Sequence, residues 1–151
     1  MLLVLKSVQF WQETAEDAEN LYHFGMHIGV AFQLQDDLLD VYGDPEVFGK
    51  KIGGDILCNK KTYMLIKALE HADEKQQEEL NRWLNAETFQ PAEKIEAVTE
   101  SYNQLNIRNV CENKMREYYT LAMESLAAVA VAEDRKKELK NLVKLLMYRE
   151  M

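Results

Sequence analysis

The chain has 151 residues, 47% hydrophobic and 29% charged, enough for one domain with a buried core. Its 26 acidic against 18 basic side chains leave a net charge of −8, which argues against nucleic acid or an anionic membrane surface as partner. Cys58 and Cys111 form no CxxC and no disulfide framework, which fits a reducing cytosol.

In chain order, the apolar opening MLLVLKSVQFW is too short for a signal peptide, and no later apolar run can span a bilayer, so a cytoplasmic protein without stable membrane insertion is expected. Helical periodicity predicts helices over 2–12, 15–42, 61–72, 74–85, 91–104, 107–130 and 134–149. Asp73, with Gln76 three residues on, reads as a capping box, and Pro91 suits a first helical turn. No stretch alternates as a strand would. The fold class expected is all-α, a helical bundle forming one unit over residues 1–151.

The glycines are unevenly placed. All six lie between Gly25 and Gly54, and the 97 residues after Gly54 contain none. Gly25 and Gly29 interrupt the second predicted helix at about 1 kcal/mol each relative to alanine, so a packing or cavity reason is needed. On that helix, Tyr22, Met26, Gly29, Asp36, Asp37 and Asp40 all fall within about 60° of Gln33, whereas Gln35 points about 200° away. One face therefore runs from apolar through small and polar to acidic. Phe24, Ile28, Phe32, Leu34 and Leu38 cover much of the remainder, as on a buried helix.

The acidic end breaks local rules. Asp36 and Asp40 are a like-charged i,i+4 pair, Asp37 and Asp40 an i,i+3 pair, and all three oppose the helix dipole. Such violations tend to mark function. Mg²⁺ would reverse their sign, since it takes one or two carboxylates together with waters and phosphate oxygens. For DDxxD alone, a solvated helix end is the simpler reading. The next segment, GKKIGGDILCNKKT, gathers Lys50, Lys51, Lys60 and Lys61 around Gly49, Gly53 and Gly54. Lysines serve as point charges for phosphate, and glycines let a backbone approach a ligand closely. Alone, this segment would read as a basic surface loop. Together the two segments describe a diphosphate site.

FQLQDDLLDVYGDPEVFGKKIGGDILCNKKT resembles the second aspartate-rich region of the trans-isoprenyl diphosphate synthases, the polyprenyl synthetase family. The family pattern, roughly GxxFQxxDDxxD, then GKxxGxD, then a lysine and threonine opening a helix, is met by Gly29, Phe32, Gln33, Asp36, Asp37 and Asp40, then Gly49, Lys50, Gly53 and Asp55, then Lys60 and Thr62. The ending LVKLLMYREM is also similar to family C-termini. The family's earlier aspartate-rich motif, its arginine pair and its lysine–threonine pair are not in the chain, which is thus expected to correspond to the C-terminal half of a synthase.

The resemblance implies a Mg²⁺-dependent prenyltransferase that condenses isopentenyl diphosphate with an allylic prenyl diphosphate, and a homo-oligomer. It implies that Asp36 is the best Mg²⁺ ligand, with Asp40 a ligand or its supporting partner and Asp37 a third candidate. Lys50 and Lys60 would hold the allylic diphosphate, Gln33 would face the reacting carbons, and Phe32 would line or support the cavity. Without the first motif the chain alone is expected to be inactive. A competing reading is a non-catalytic helical subunit or remnant that pairs with a complete synthase, and a terpene cyclase is a third. Elsewhere, His23 and His27 have a metal-compatible spacing but no third ligand. Tyr118 and Tyr119 are expected in the core, and EKQQEE and EDRKKELK are expected as solvated faces.

Overall fold

Without proline or an early glycine, the N-terminal forty residues have nothing to stop a helix once it starts. In the computed structural model, which describes the backbone of residues 2–49 and 51–147 and the side chains of 14–147 other than 48 and 50, α1 runs unbroken over Leu2–Tyr42. The break expected between 12 and 15 does not occur. Gln12, Glu13 and Thr14 include no strong breaker, and the propensity cost of one threonine is a few tenths of a kcal/mol.

Two single-turn helices follow that periodicity does not reveal. Asp44 caps α2 (Pro45–Phe48), its carboxylate accepting the Glu46 N–H at 2.9 Å, and Gly49 ends it at φ +65°. Gly53, at φ +87°, opens α3 (Gly54–Leu57). Thr62 caps α4 (Tyr63–His71), and the capping box of Asp73 and Gln76 starts α5 (Glu74–Leu84) as expected. Pro91 occupies the first turn of α6 (Pro91–Gln104). After Asn106, at φ +55°, come α7 (Ile107–Ala128) and α8 (Glu133–Met147). The described residues include no strand, and none of their helices is long and apolar enough to cross a membrane.

The chain groups into two compact units. One comprises residues 1–32 and 115–149. Its core joins Phe24 and Ala31 of α1 to Ala122 and Leu126 of α7 and Val143 of α8, with Tyr118 and Tyr119 packed against them. The other comprises 33–114 and is centred on Leu38, Leu39, Met64, Leu80, Val98 and Ile107. EDRKKELK is not wholly solvated. Lys136 is 4% exposed because its ammonium reaches back to the Ala127 carbonyl at 3.3 Å, which helps close the α7–α8 turn. Tyr22 and Met26, 64% and 46% exposed, are not core residues of this chain.

In the second unit, α6 packs on the start of α3 at Gly53. A Cβ there would stand 2.6 Å from Cδ1 of Ile95, in a backbone conformation that L side chains rarely adopt. By contrast a Cβ at Gly25 would meet nothing within 4 Å, so the helical cost of that glycine is not offset by packing among the described residues. Gly53→Ala is therefore expected to cost about 1–3 kcal/mol, and Gly25→Ala to gain about 0.5–1 kcal/mol. Thermal melts followed by circular dichroism would show opposite shifts. Equal shifts would contradict this packing.

Candidate functional site

The last three turns of α1 present Gln33, Asp36, Asp37 and Asp40, and the segment after α2 folds back over them. Its backbone is sewn to the helix end at two points. The Gly53 N–H donates to the Asp40 carbonyl at 2.7 Å, and the Asp55 N–H donates to Oδ2 of Asp40 at 2.9 Å. This is why Gly53 needs its positive φ: it turns the chain so that the Gly53 and Asp55 N–H groups both reach Asp40 near the end of the helix.

Lys60 then reaches the acidic cluster. Its ammonium donates to Oδ1 of Asp37 at 2.9 Å and to Oδ2 of Asp55 at 3.2 Å. Asp37 is 5% exposed and also accepts from Nε2 of Gln33, one helical turn earlier, at 3.0 Å. Hydrogen bonding to Asp37, reinforced by the Asp55 carboxylate and opposed by burial, raises the Lys60 pKa above its ordinary 10.5. Asp40 moves up from its ordinary 3.8. Burial is the main cause, the Asp55 N–H opposes it, and the Asp55 and Asp37 charges add to it. Lys60 thus pairs with two carboxylates, Asp37 and Asp55, which engage two of the three donors of its ammonium.

The expected site residues therefore fall into distinct situations. Asp37, Asp40, Gln33 and Lys60 are joined in one network. Asp36 is half-buried, and its carboxylate makes no hydrogen bond or ion pair among the described residues. Phe32 is half-buried and belongs to the other unit. Lys50 lies outside the described residues. Lys51 and Lys61 are exposed. Among the described residues, no three His, Cys, Asp or Glu side chains are gathered closely enough to hold a metal ion by themselves. His23 and His27 stand in a series of tilted rings that ends on Tyr118, all in the first unit.

Asp55 is the participant that periodicity misses. It stands on a one-turn helix, outside any amphipathic pattern, and its role comes from being five residues before Lys60 in a turn closed by the Lys60 N–H to the Asp55 carbonyl at 3.0 Å. Beside this turn a cavity lined by Asp55, Asn59, Lys60, Thr62, Lys94 and Tyr102 has room for no more than a water. Burial pushes the Tyr102 hydroxyl pKa up, which leaves it a neutral member of that lining.

The chain resembles known proteins in sequence and in fold. The family model for polyprenyl synthetase matches residues 1–105, and the chain belongs to that family. It is 30% identical over 135 residues to the (2E,6E)-farnesyl diphosphate synthase of Mycobacterium tuberculosis, which covers 87% of this chain and 37% of that protein. It is 52% identical over 60 residues to a short chain isoprenyl diphosphate synthase of Methanothermobacter thermautotrophicus, 40% of this chain and 18% of the other. Among solved structures, a geranylgeranyl pyrophosphate synthase matches with a TM-score of 0.80 at 34% identity, over 89% of this chain and 42% of its own. Another, from Corynebacterium glutamicum in complex with isoprenyl diphosphate and magnesium, matches with a TM-score of 0.77 at 29% identity, over 87% and 37%. The chain spans less than half the length of these proteins. Their helical fold is the all-α fold expected from the sequence.

The electrostatics of Asp40 can be checked directly. Its folded pKa lies above the unfolded value, so its charge costs stability above the folded pKa and that cost fades as pH falls towards 3.8. Asp40→Asn keeps an acceptor for the Asp55 N–H and removes the charge. It is expected to stabilise the fold at pH 7, and so raise the melting temperature, by no more than about 1 kcal/mol of free energy because solvent screens a partly buried group. The difference should shrink near pH 4. A variant that melts lower than wild type at pH 7 would contradict this assignment.

Proposed function

We propose that this chain carries the second aspartate-rich, diphosphate-binding half of a Mg²⁺-dependent prenyltransferase. The parent enzyme would condense isopentenyl diphosphate with an allylic prenyl diphosphate. The observation that carries the reading is the division of labour at the helix end. Asp37 and Asp40 are committed to Lys60 and to the Asp55 N–H, while Asp36 makes no such commitment among the described residues.

That donor set fits Mg²⁺. A hard cation that keeps its waters and takes phosphate oxygens needs only one or two protein carboxylates, and Asp36 can supply the first. When bound, the metal would neutralise the diphosphate as it leaves the allylic carbon. The chain's own residues do the rest. Asp36 holds the cation. Lys60, restrained by Asp37 and Asp55, points its remaining donor at a phosphate oxygen. Lys50 would add a second ammonium. Gln33 restrains Asp37 and faces the reacting carbons. A preorganised cation aimed at developing negative charge is an effective form of electrostatic catalysis.

The similar structure that holds isoprenyl diphosphate and magnesium supports the substrate class and the metal. By itself the 151-residue chain is expected to form no prenyl diphosphate, because its sequence holds a single aspartate-rich motif of this kind. In the complete enzyme a homo-oligomer in the cytoplasm is the corresponding expectation.

Binding can be tested without turnover. Mg²⁺ alone and inorganic diphosphate alone should each shift the melting temperature little. At about 100 times the dissociation constant, the two together should raise it by roughly 5–10 °C. Asp36→Ala and Lys60→Ala should each abolish most of the excess over the separate shifts, while Lys61→Ala should leave it intact. A shift that is merely additive, or that survives Asp36→Ala unchanged, would mean that the aspartates are only a solvated helix end.

A further inference from the structure

Lys94 is 1% exposed, among the most completely buried side chains in the protein, and no carboxylate pairs with it among the described residues. An unpaired buried ammonium is costly, and burial duly lowers its pKa below the ordinary 10.5. Its ammonium faces the ring of Phe89 at 4.3 Å and donates one short hydrogen bond, 2.6 Å, to Oδ1 of Asn59. The other end of that amide is also held, since Nδ2 of Asn59 donates to the Leu84 carbonyl at 2.9 Å.

Asn59 sits at φ +53°, one of two non-glycine residues with positive φ among those described. Asparagine tolerates this region better than most residues, yet it still prefers to leave it. Asn59 immediately precedes Lys60. Relaxing it to an ordinary conformation would rotate the peptide that aims Lys60 at Asp37 and Asp55. The neighbouring residue of α6, Ile95, packs against Gly53 at the other end of the same segment. Helix α6 therefore braces the segment 53–60 at both ends, and at the Lys60 end the brace is Lys94.

We infer that Lys94 is a positioning residue for Lys60: by holding Asn59 in the left-handed conformation, it fixes the ammonium that the proposed diphosphate site uses. The inference rests on that reading of Lys60, and the test separates the two. In the first arm, which needs no ligand, the loss of melting temperature caused by Lys60→Met is measured in wild type, in Lys94→Met and in Asn59→Gly. Asn59→Gly keeps the left-handed conformation accessible and removes the acceptor, so it serves if Lys94→Met does not fold. The loss should fall by more than half in either background, because Lys60 is no longer held on Asp37. A merely structural lysine would lower the starting melting temperature and leave that loss unchanged.

In the second arm, calorimetry measures the binding of inorganic diphosphate with Mg²⁺. Lys94→Met and Asn59→Gly should each weaken it roughly tenfold, with little further loss on adding Lys60→Met. An equal Lys60→Met loss in all backgrounds, or unchanged diphosphate affinity in Lys94→Met and Asn59→Gly, overturns the inference. If wild type itself fails to bind Mg²⁺ with diphosphate, the proposed function falls, and the first arm alone decides whether Lys94 positions Lys60.

Discussion

The ion pair between Lys60 and Asp37 is the contact on which the second unit's functional geometry depends. Asp37 is almost wholly buried, and a buried carboxylate without a cation is strongly unfavourable. The same ammonium binds Asp55, whose own backbone N–H reaches Asp40. Remove Lys60, and Asp37 and Asp55 lose the cation that pairs with them among the described residues, beside the Asp40 carboxylate. The segment 51–62 is therefore more than a connection. It returns along α1 because its N–H groups and its lysine are what that helix end requires.

This also explains where the local rules are broken and what offsets each breach. Like charges at i,i+3 and i,i+4 are tolerated because two of the three aspartates have partners from outside the helix. The positive φ of Gly53 is tolerated because it places an N–H on the Asp40 carbonyl. The positive φ of Asn59 is held by Lys94 and Leu84. What is not offset among the described residues is Asp36, together with the exposed Tyr22 and Met26 and the glycines in the middle of α1.

Much of this was legible in the sequence. The capping box at Asp73, the first-turn Pro91 and the DDxxD face are set by neighbours within one helical turn, and local chemistry decides them. The unbroken run of α1 was not legible, because Gln12 to Thr14 carry no apolar residue and look like a pause, although they contain no breaker. The one-turn helices at Pro45 and Gly54 are shorter than any period. The lysines were expected to face the aspartates across a diphosphate, whereas the direct pairing of Lys60 with Asp37 and the entry of Asp55 depend on how residues 53–60 turn. Lys94 was invisible for a further reason. A lysine in PAEKIEAV reads as solvent-facing, and only the packing of α6 on α3 buries it.

The central claim, that Lys60 is held on Asp37 and Asp55 before any ligand arrives, is tested most directly by titrating the lysine side chains by nuclear magnetic resonance in the unliganded chain. Lys60 should lose its proton above the ordinary lysine value of 10.5, and Asp37→Asn should bring it back towards that value. The Lys60 contribution to stability would then persist below 10.5 and disappear as pH rises through the higher, folded-state pKa. A Lys60 that titrates at or below the ordinary value, indifferent to Asp37→Asn, would contradict the account.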